Sequence, residues 1–319
     1  MGKAIIKYKQ QEKVGWAVKK EGHIIPLLNQ PTSLQDLITR QSQFLREENY
    51  GEDSLLLEQI EVLAPVSAPL RVVCQGVNYA SHREESALSK SSKGNVMFAK
   101  DYSSITGAYS PIVRPKHCLC LDYEVELGLI IKQDISKAIT VTDDNLHEYI
   151  AGLVLANDMS PRDLQYKEDY GQWFKGKSCR TMLPIGPVLY LMDQEDFRHL
   201  HNLVLKLWVN GELRQDANTA QLIFKPAETL TEISEFMNLS AGDLLLTGTP
   251  GGVVIKAPSK FLQGVATWLL SNEKKVAALQ KKQNEYLLNG DTIEASITSV
   301  GGEIDLGRQT NTIIPYDNL

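Results

Sequence analysis

The stretch LDYEVELGLII, residues 121–131, constrains this chain more than any other. Its side chains alternate in period two, and a strand sends positions i and i+2 to one face. Glu124 and Glu126 therefore project together, while Val125 and Leu127 turn the other way; Asp122 joins the acidic face if the strand reaches that far back. Two parallel anions repel unless a cation or hydrogen-bond donors lie against them. In a closed site that cation would be a hard divalent metal, because every ligand is oxygen. The plain alternative is a solvated acidic face of an antiparallel sheet, and the company these residues keep decides between the two.

The chain has 319 residues, enough for one large domain or a large domain with a small one. A hydrophobic share of 43% allows a sizeable core, so no disulfide or structural metal is needed for stability. A net charge of −6 argues against a nucleic-acid binder, which would carry a basic excess. No apolar run is long enough for a transmembrane helix. The opening MGKAIIKYKQQEKVGWAV lacks the apolar core of a signal peptide, so a cytoplasmic protein is expected. The four cysteines, Cys74, Cys118, Cys120 and Cys179, include a C-x-C but no second pair at zinc-site spacing. They read as reduced thiols packed as small apolar groups.

Residues 1–70 read as a small α/β module. KAIIKYKQ and VGWAVKKEGHIIPL are strand-like, with a hairpin turn at Glu21-Gly22, and Ser33 is a helix N-cap candidate before LQDLITRQSQFL. Residues 71–319 hold the chemistry. RVVCQG is a buried strand that breaks at Gly76 and leads to His82 and Glu85. Three residues apart on a helical turn, these two share a face. A carboxylate there could hold a neutral imidazole in one tautomer and so make a general base for water; a helix-start histidine beside a solvated glutamate is the bland reading. SKAITVTDDNLHEYI reads as a loop and a helix. GLVLA reads as a buried strand with Asn157-Asp158 at its end, a common support for a functional group. Arg162 and Gln165 follow on one helical turn, offering a donor fork and an amide. Lys177 stands after Trp173, Phe174 and Gly176, either a surface charge or a lysine set into a cleft. LVLKLWVNGELRQD is a hairpin turning at Asn210-Gly211. LLLTGTPGGV lacks the G-K-[ST] ending of a phosphate loop, so nucleotide binding is a weak reading. Residues 258–288 read as a solvent-facing helix, and the final segment from NGDTIEASI reads as a β-hairpin closing a sheet. The chain is a strand-rich α+β protein without the βαβ rhythm of a Rossmann or TIM architecture.

Several of these segments together resemble the fumarylacetoacetate hydrolase superfamily: GVNYASHREE, DYEVELGLII, GLVLANDMSPRDLQ, WFKGKSC with PIGP, LLLTGTPGGV, and NGDTIEASI with LGRQTN. They occur in the family's order over roughly residues 71–315, and their joint spacing, rather than any one of them, carries the resemblance. It implies a mixed β-sandwich roll around one metal-dependent site, usually in a homodimer, with residues 1–70 as the variable N-terminal module. It implies Mg²⁺, or Mn²⁺ or Ca²⁺, on Glu124, Glu126 and Asp158. His82 and Glu85 fall at the water-activating dyad, Lys177 at the active-site lysine, Arg162 and Gln165 at substrate contacts, and Thr249 in the TGTP turn that faces substrate. The implied reaction is hydrolysis of a C–C bond in a dioxo acid, an acylpyruvate or fumarylacetoacetate-like compound, through a metal-stabilised enolate. Decarboxylation of a 2-oxo diacid, isomerisation of a ring-cleavage product and non-catalytic oxo-acid binding are the alternatives. Arg180 and a long insertion at residues 256–288 depart from the family pattern and bear on the substrate.

Overall fold

The computed structural model describes residues 2–85, 94–166, 171–255 and 283–318. Two sheets share one core. The larger has twelve strands. Its path runs Leu55–Leu56, His23–Pro26, Lys13–Lys20, Lys3–Gln10, Leu183–Leu191, Ile150–Asn157, Val125–Ile131, Leu244–Leu246, Val72–Gly76 and Val96–Lys100. Glu61–Leu63 and Ile105–Gly107 pair with it off this path. The smaller sheet orders Glu212–Asn218, Leu203–Val209, Thr292–Ser299, Asp305–Ile314 and Ile112–Val113. Most neighbours are antiparallel, but Leu244–Leu246 runs parallel to Val72–Gly76, Leu183–Leu191 to Ile105–Gly107, and Asp305–Ile314 to Ile112–Val113. The architecture is the mixed, strand-rich roll expected from the sequence.

The period-two pattern explains where the core sits. Leu127, Leu129 and Ile131 face the smaller sheet and pack with Leu205, Leu207, Ile293 and Ile297. Ile130, between them in sequence, turns to the opposite face and packs with Val154, Leu189, Leu246 and the N-terminal helix residues Leu34 and Leu37. The strand Val125–Ile131 is thus buried along its whole length on both faces. A strand covered on both sides has no solvated acidic face, which removes the plain alternative for Glu124 and Glu126. The strand also starts later than the alternation suggests. Asp122 belongs to a separate two-residue strand, Leu121–Asp122, paired with Ser160–Pro161, and Tyr123-Glu124 form the joint between them.

In the opening residues Glu21-Gly22 turns the hairpin with Gly22 at φ +71°, and the Ser33 hydroxyl accepts the Asp36 N–H at 3.0 Å, but the helix read after Ser33 is split into Leu34–Thr39 and Gln41–Phe44. The chain's first strand pairs antiparallel with Leu183–Leu191, Lys3 opposite Leu191, so the large sheet runs unbroken across the boundary expected at residue 70. The Asn210-Gly211 turn and the closing hairpin Thr292–Ser299 with Asp305–Ile314 also form as read. SKAITVTDDNLHEYI forms no α-helix, only the single 3₁₀ turn Leu146–Glu148. The helix expected over 258–288 lies for the most part outside the described residues. All four cysteines are free thiols, three of them buried. Among the described residues no helix is long and apolar enough to cross a membrane.

Candidate active site

Glu124, Glu126 and Asp158 meet at the centre of the larger sheet, where Val125 of one strand lies opposite Asn157 of the next. Each offers one carboxylate oxygen within 4.8 Å of the others, and all three are buried. The strand ends are fastened to one another. The Glu124 N–H donates to Asn157 Oδ1 at 2.9 Å, and the Asp158 N–H donates to the Glu124 carbonyl at 2.8 Å. Val125 N–H donates to Gln215 Oε1 at 3.0 Å, and the Gln215 amide in turn donates to Thr249 Oγ1 and the Pro250 carbonyl. One glutamine of the smaller sheet thereby ties the acidic strand to the TGTP turn.

Three buried cations surround the carboxylates. Lys177 Nζ donates at 2.6 Å to both Glu124 Oε2 and Asp158 Oδ2. Arg162 donates to Asp122 through Nε at 3.0 Å and Nη2 at 2.9 Å, and Nη2 also reaches Glu124 Oε1 at 2.5 Å. Lys100 Nζ lies 2.5 Å from Asp158 Oδ1, with a side chain that has no exposed surface. Burial alone would push the Glu124 carboxyl up, yet Arg162 and Lys177 beside it hold it far below the usual carboxylate range. Glu126 goes the other way. Burial and the charges of Asp158 and Glu124 push it well above its ordinary value, and the Gly248 N–H at 2.9 Å is the hydrogen bond it receives. An all-oxygen set of three carboxylates, one of them short of positive charge, fits a hard divalent cation.

The helix Ala80–Glu85 brings His82 to this cluster, where the charges of Glu124, Arg162, Asp122 and Lys177 all act on it. Burial lowers its pKa to about 4, so the imidazole is neutral at physiological pH. No hydrogen bond joins His82 to Glu85. Glu85 Oε2 accepts the Gly252 N–H at 3.0 Å, and His82 Nδ1 has no partner among the described residues. The shared helical face is present, and in the structure the two side chains on it are not hydrogen-bonded to each other. Arg162 and Gln165 sit on the helix Arg162–Tyr166 as read. Arg162 is taken up by Asp122, Glu124 and the side-chain amide oxygen Oε1 of Gln165, whereas Gln165 Nε2 is buried and unpartnered among the described residues. Gln165 thus has its amide N–H donors to offer a ligand. Arg180 is exposed and lines a separate cavity with Ser103, Val113 and Tyr316.

Several of the contacts that hold this site together were not legible in the sequence. Asp122 accepts the N–H groups of Val254 and Ile255 as well as Arg162, and so anchors the end of the TGTPGGV turn. Asn78 spends its side chain on the Phe224 N–H and the carbonyls of Phe224 and Thr247. It follows Val77, a β-branched residue held at φ +56°, where only a firm surrounding structure keeps such a residue. A buried Asn or Lys in a short strand-to-turn segment gives no periodic signal. Only its distant partners mark it.

The fold is a strand-rich α+β roll, and at its centre lie three buried carboxylates that could hold a divalent cation beside basic side chains. Residues 71–314 match the family model described as fumarylacetoacetate (FAA) hydrolase C-terminal. The chain is 41% identical over 206 residues to the bovine (Bos taurus) "Oxaloacetate tautomerase FAHD2B, mitochondrial", an alignment covering 64% of each protein and so just under two thirds of that relative's length. It is 32% identical over 260 residues to the Xenopus laevis "Oxaloacetate tautomerase fahd2, mitochondrial", covering 79% of this chain and 80% of that one. The fold superposes with a TM-score of 0.75 on the fumarylacetoacetate hydrolase EaFAH of Exiguobacterium antarcticum, at 29% identity over 98% of this chain and 99% of the other. The 5-carboxymethyl-2-hydroxymuconate delta-isomerase of Mycobacterium smegmatis gives 0.68 at 25% identity, over 99% and 100%. The chain belongs to the fumarylacetoacetate hydrolase family.

Proposed function

We propose that this chain interconverts the keto and enol forms of a 2-oxo diacid, with oxaloacetate the first substrate to try. Glu124, Glu126 and Asp158 would hold a divalent cation, Mg²⁺ in the first instance and Mn²⁺ or Ca²⁺ as alternatives. Bound there, the cation would polarise the 2-oxo group and stabilise developing enolate charge. The chain's own groups do the rest. His82, neutral and with Nδ1 unpartnered among the described residues, takes or returns the proton at carbon. Lys177 lies among the carboxylates as a donor for the developing oxyanion. Gln165 Nε2 offers an amide donor to the substrate carboxylate, and Arg162 keeps Glu124 ionised and in place.

The observation that carries this reading is the engagement of Glu85 by the Gly252 N–H rather than by His82. Tautomerisation needs proton transfers alone, and a lone neutral imidazole serves it. Hydrolysis of a C–C bond in an acylpyruvate or fumarylacetoacetate-like dioxo acid needs an activated water, for which Glu85 would have to turn to His82. The names of the bovine and Xenopus laevis relatives favour the first reading. The shared helical face of His82 and Glu85 and the likeness to EaFAH keep the second in view.

One assay separates them. The protein is stripped of metal, and decay of enol-oxaloacetate absorbance and of acetylpyruvate absorbance are followed with and without Mg²⁺. Mg²⁺-dependent loss of the enol without pyruvate release is expected. Pyruvate release from oxaloacetate would make the protein a decarboxylase, and loss of acetylpyruvate with release of acetate and pyruvate a C–C hydrolase. Silence on both, with Mg²⁺ still raising the melting temperature, would sink the tautomerase reading and point to oxo-acid binding or a ring-cleavage product. The proposal extends to a cytoplasmic homodimer, to be checked by fractionation and by light scattering.

A further inference from the structure

Lys100 ends the strand Val96–Lys100, opposite Val72. Its ammonium meets three acceptors: Asp158 Oδ1 at 2.5 Å, the Met182 carbonyl at 3.1 Å and the Met159 carbonyl at 3.4 Å. Three N–H donors with three acceptors leave this lysine fully used. With no exposed side-chain surface it has no side left for a substrate. Lys177 differs, since it bridges two carboxylates and lies 5.1 Å from the Phe98 ring. A buried ammonium is costly unless its partner is fixed and its other protons are satisfied. Here two main-chain carbonyls fix the ammonium, and the ammonium fixes one oxygen of Asp158.

We propose that Lys100 is a positioning residue for the cation site: it locks the Asp158 carboxylate in the rotamer that presents an oxygen toward Glu124 and Glu126. The inference rests on the reading of those three carboxylates as cation ligands. It makes a claim about sign that simple charge balance does not. Removing a positive charge beside three carboxylates deepens the negative potential and should tighten binding of a divalent cation. Removing a group that orients a ligand should weaken it.

Mg²⁺ binding to wild type, Lys100→Met and Lys100→Gln is measured by isothermal titration calorimetry and by the Mg²⁺-dependent rise in melting temperature. Methionine keeps the length and loses every donor; glutamine keeps an N–H donor without charge. Lys100→Met is expected to bind Mg²⁺ about tenfold or more weakly, Lys100→Gln to recover part of that loss, and saturating Mg²⁺ to restore the wild-type KM for oxaloacetate. Unchanged or tighter Mg²⁺ binding by Lys100→Met would overturn the proposal. Should Lys100→Met not fold, Lys100→Gln decides alone: weaker binding than wild type supports the proposal, and equal or tighter binding overturns it. Absence of Mg²⁺ binding by the wild type would overturn the cation reading itself, a failure recognisable before any variant is made.

Discussion

Asp122 holds Arg162 with one carboxylate oxygen, Oδ2, which accepts both Nε at 3.0 Å and Nη2 at 2.9 Å, while its Oδ1 accepts the Val254 N–H at 3.0 Å. One acid thus fastens the guanidinium behind Glu124 and the end of the TGTPGGV turn. Asp122→Asn keeps the shape and removes the charge. Breaking a buried pair from one side costs about 3–5 kcal/mol. The variant should lose unfolding free energy in that range, read as a lower urea midpoint, and bind substrate more weakly, because Arg162 is released from one side. A midpoint equal to wild type would show that the pair is dispensable.

Glu126 is the carboxylate that its surroundings treat worst, pushed up by burial and by its two acidic neighbours. Glu126→Gln removes that repulsion and one ligand. In EDTA the variant should be at least as stable as wild type. Added Mg²⁺ at a hundred times its Kd should stabilise wild type by about 2.7 kcal/mol and the variant hardly at all. Thermal melts of both proteins in EDTA and in Mg²⁺ read the whole pattern. An equal Mg²⁺ response in the two would remove Glu126 from the site.

The depressed pKa of His82, about 4 against 6.5 for the free side chain, makes a pH prediction. Between those values the unfolded chain binds a proton that the folded chain refuses. Stability is therefore complete above pH 6.5 and falls as the pH drops toward 4, by up to about 3 kcal/mol from this residue. Urea unfolding at pH 7.5 and pH 4.5, in chelator, should show a steeper loss for wild type than for His82→Gln. Identical slopes would mean that the imidazole is not buried in its neutral form.

Gly176 lets two short helices touch. A Cβ built there would lie 2.5 Å from Gln165 Cβ and 2.7 Å from Gln165 Cα. Gly176→Ala must push the helix Trp173–Lys177 off the helix Arg162–Tyr166, and Lys177 moves with it. Displacing a positioned group by about an ångström costs on the order of 100-fold in rate, so kcat should fall by that order with a stability loss of only about 1–3 kcal/mol. A kcat within a few-fold of wild type would show that Lys177 tolerates the shift.

Much of this site was legible in the chain because its chemistry sits on local periodicity. The period-two spacing put Glu124 and Glu126 beside each other, and the apolar run ending at Asn157-Asp158 set the third acid at a strand end. What failed to show depends on contacts between distant segments. Lys100 meets Asp158 from 58 residues away, and nothing in VMFAKDY distinguishes it from a surface lysine. A shared helical face told that His82 and Glu85 point alike, not that they touch, and a backbone N–H 167 residues away claims the glutamate. Asp122 read as a third member of the acidic face because alternation says nothing of where a strand pauses.

The pairing of Lys3–Gln10 with Leu183–Leu191 reaches beyond architecture. The covered strand, LPIGPVLYL, is nine residues long and buried at every position. Cutting the chain at residue 70 would bare a margin of that strand with its N–H and C=O groups unpaired, a ready template for a second copy of itself. With Lys3–Gln10 in place those groups are paired, and a protein shortened at residue 70 is expected to go to the insoluble fraction when expressed.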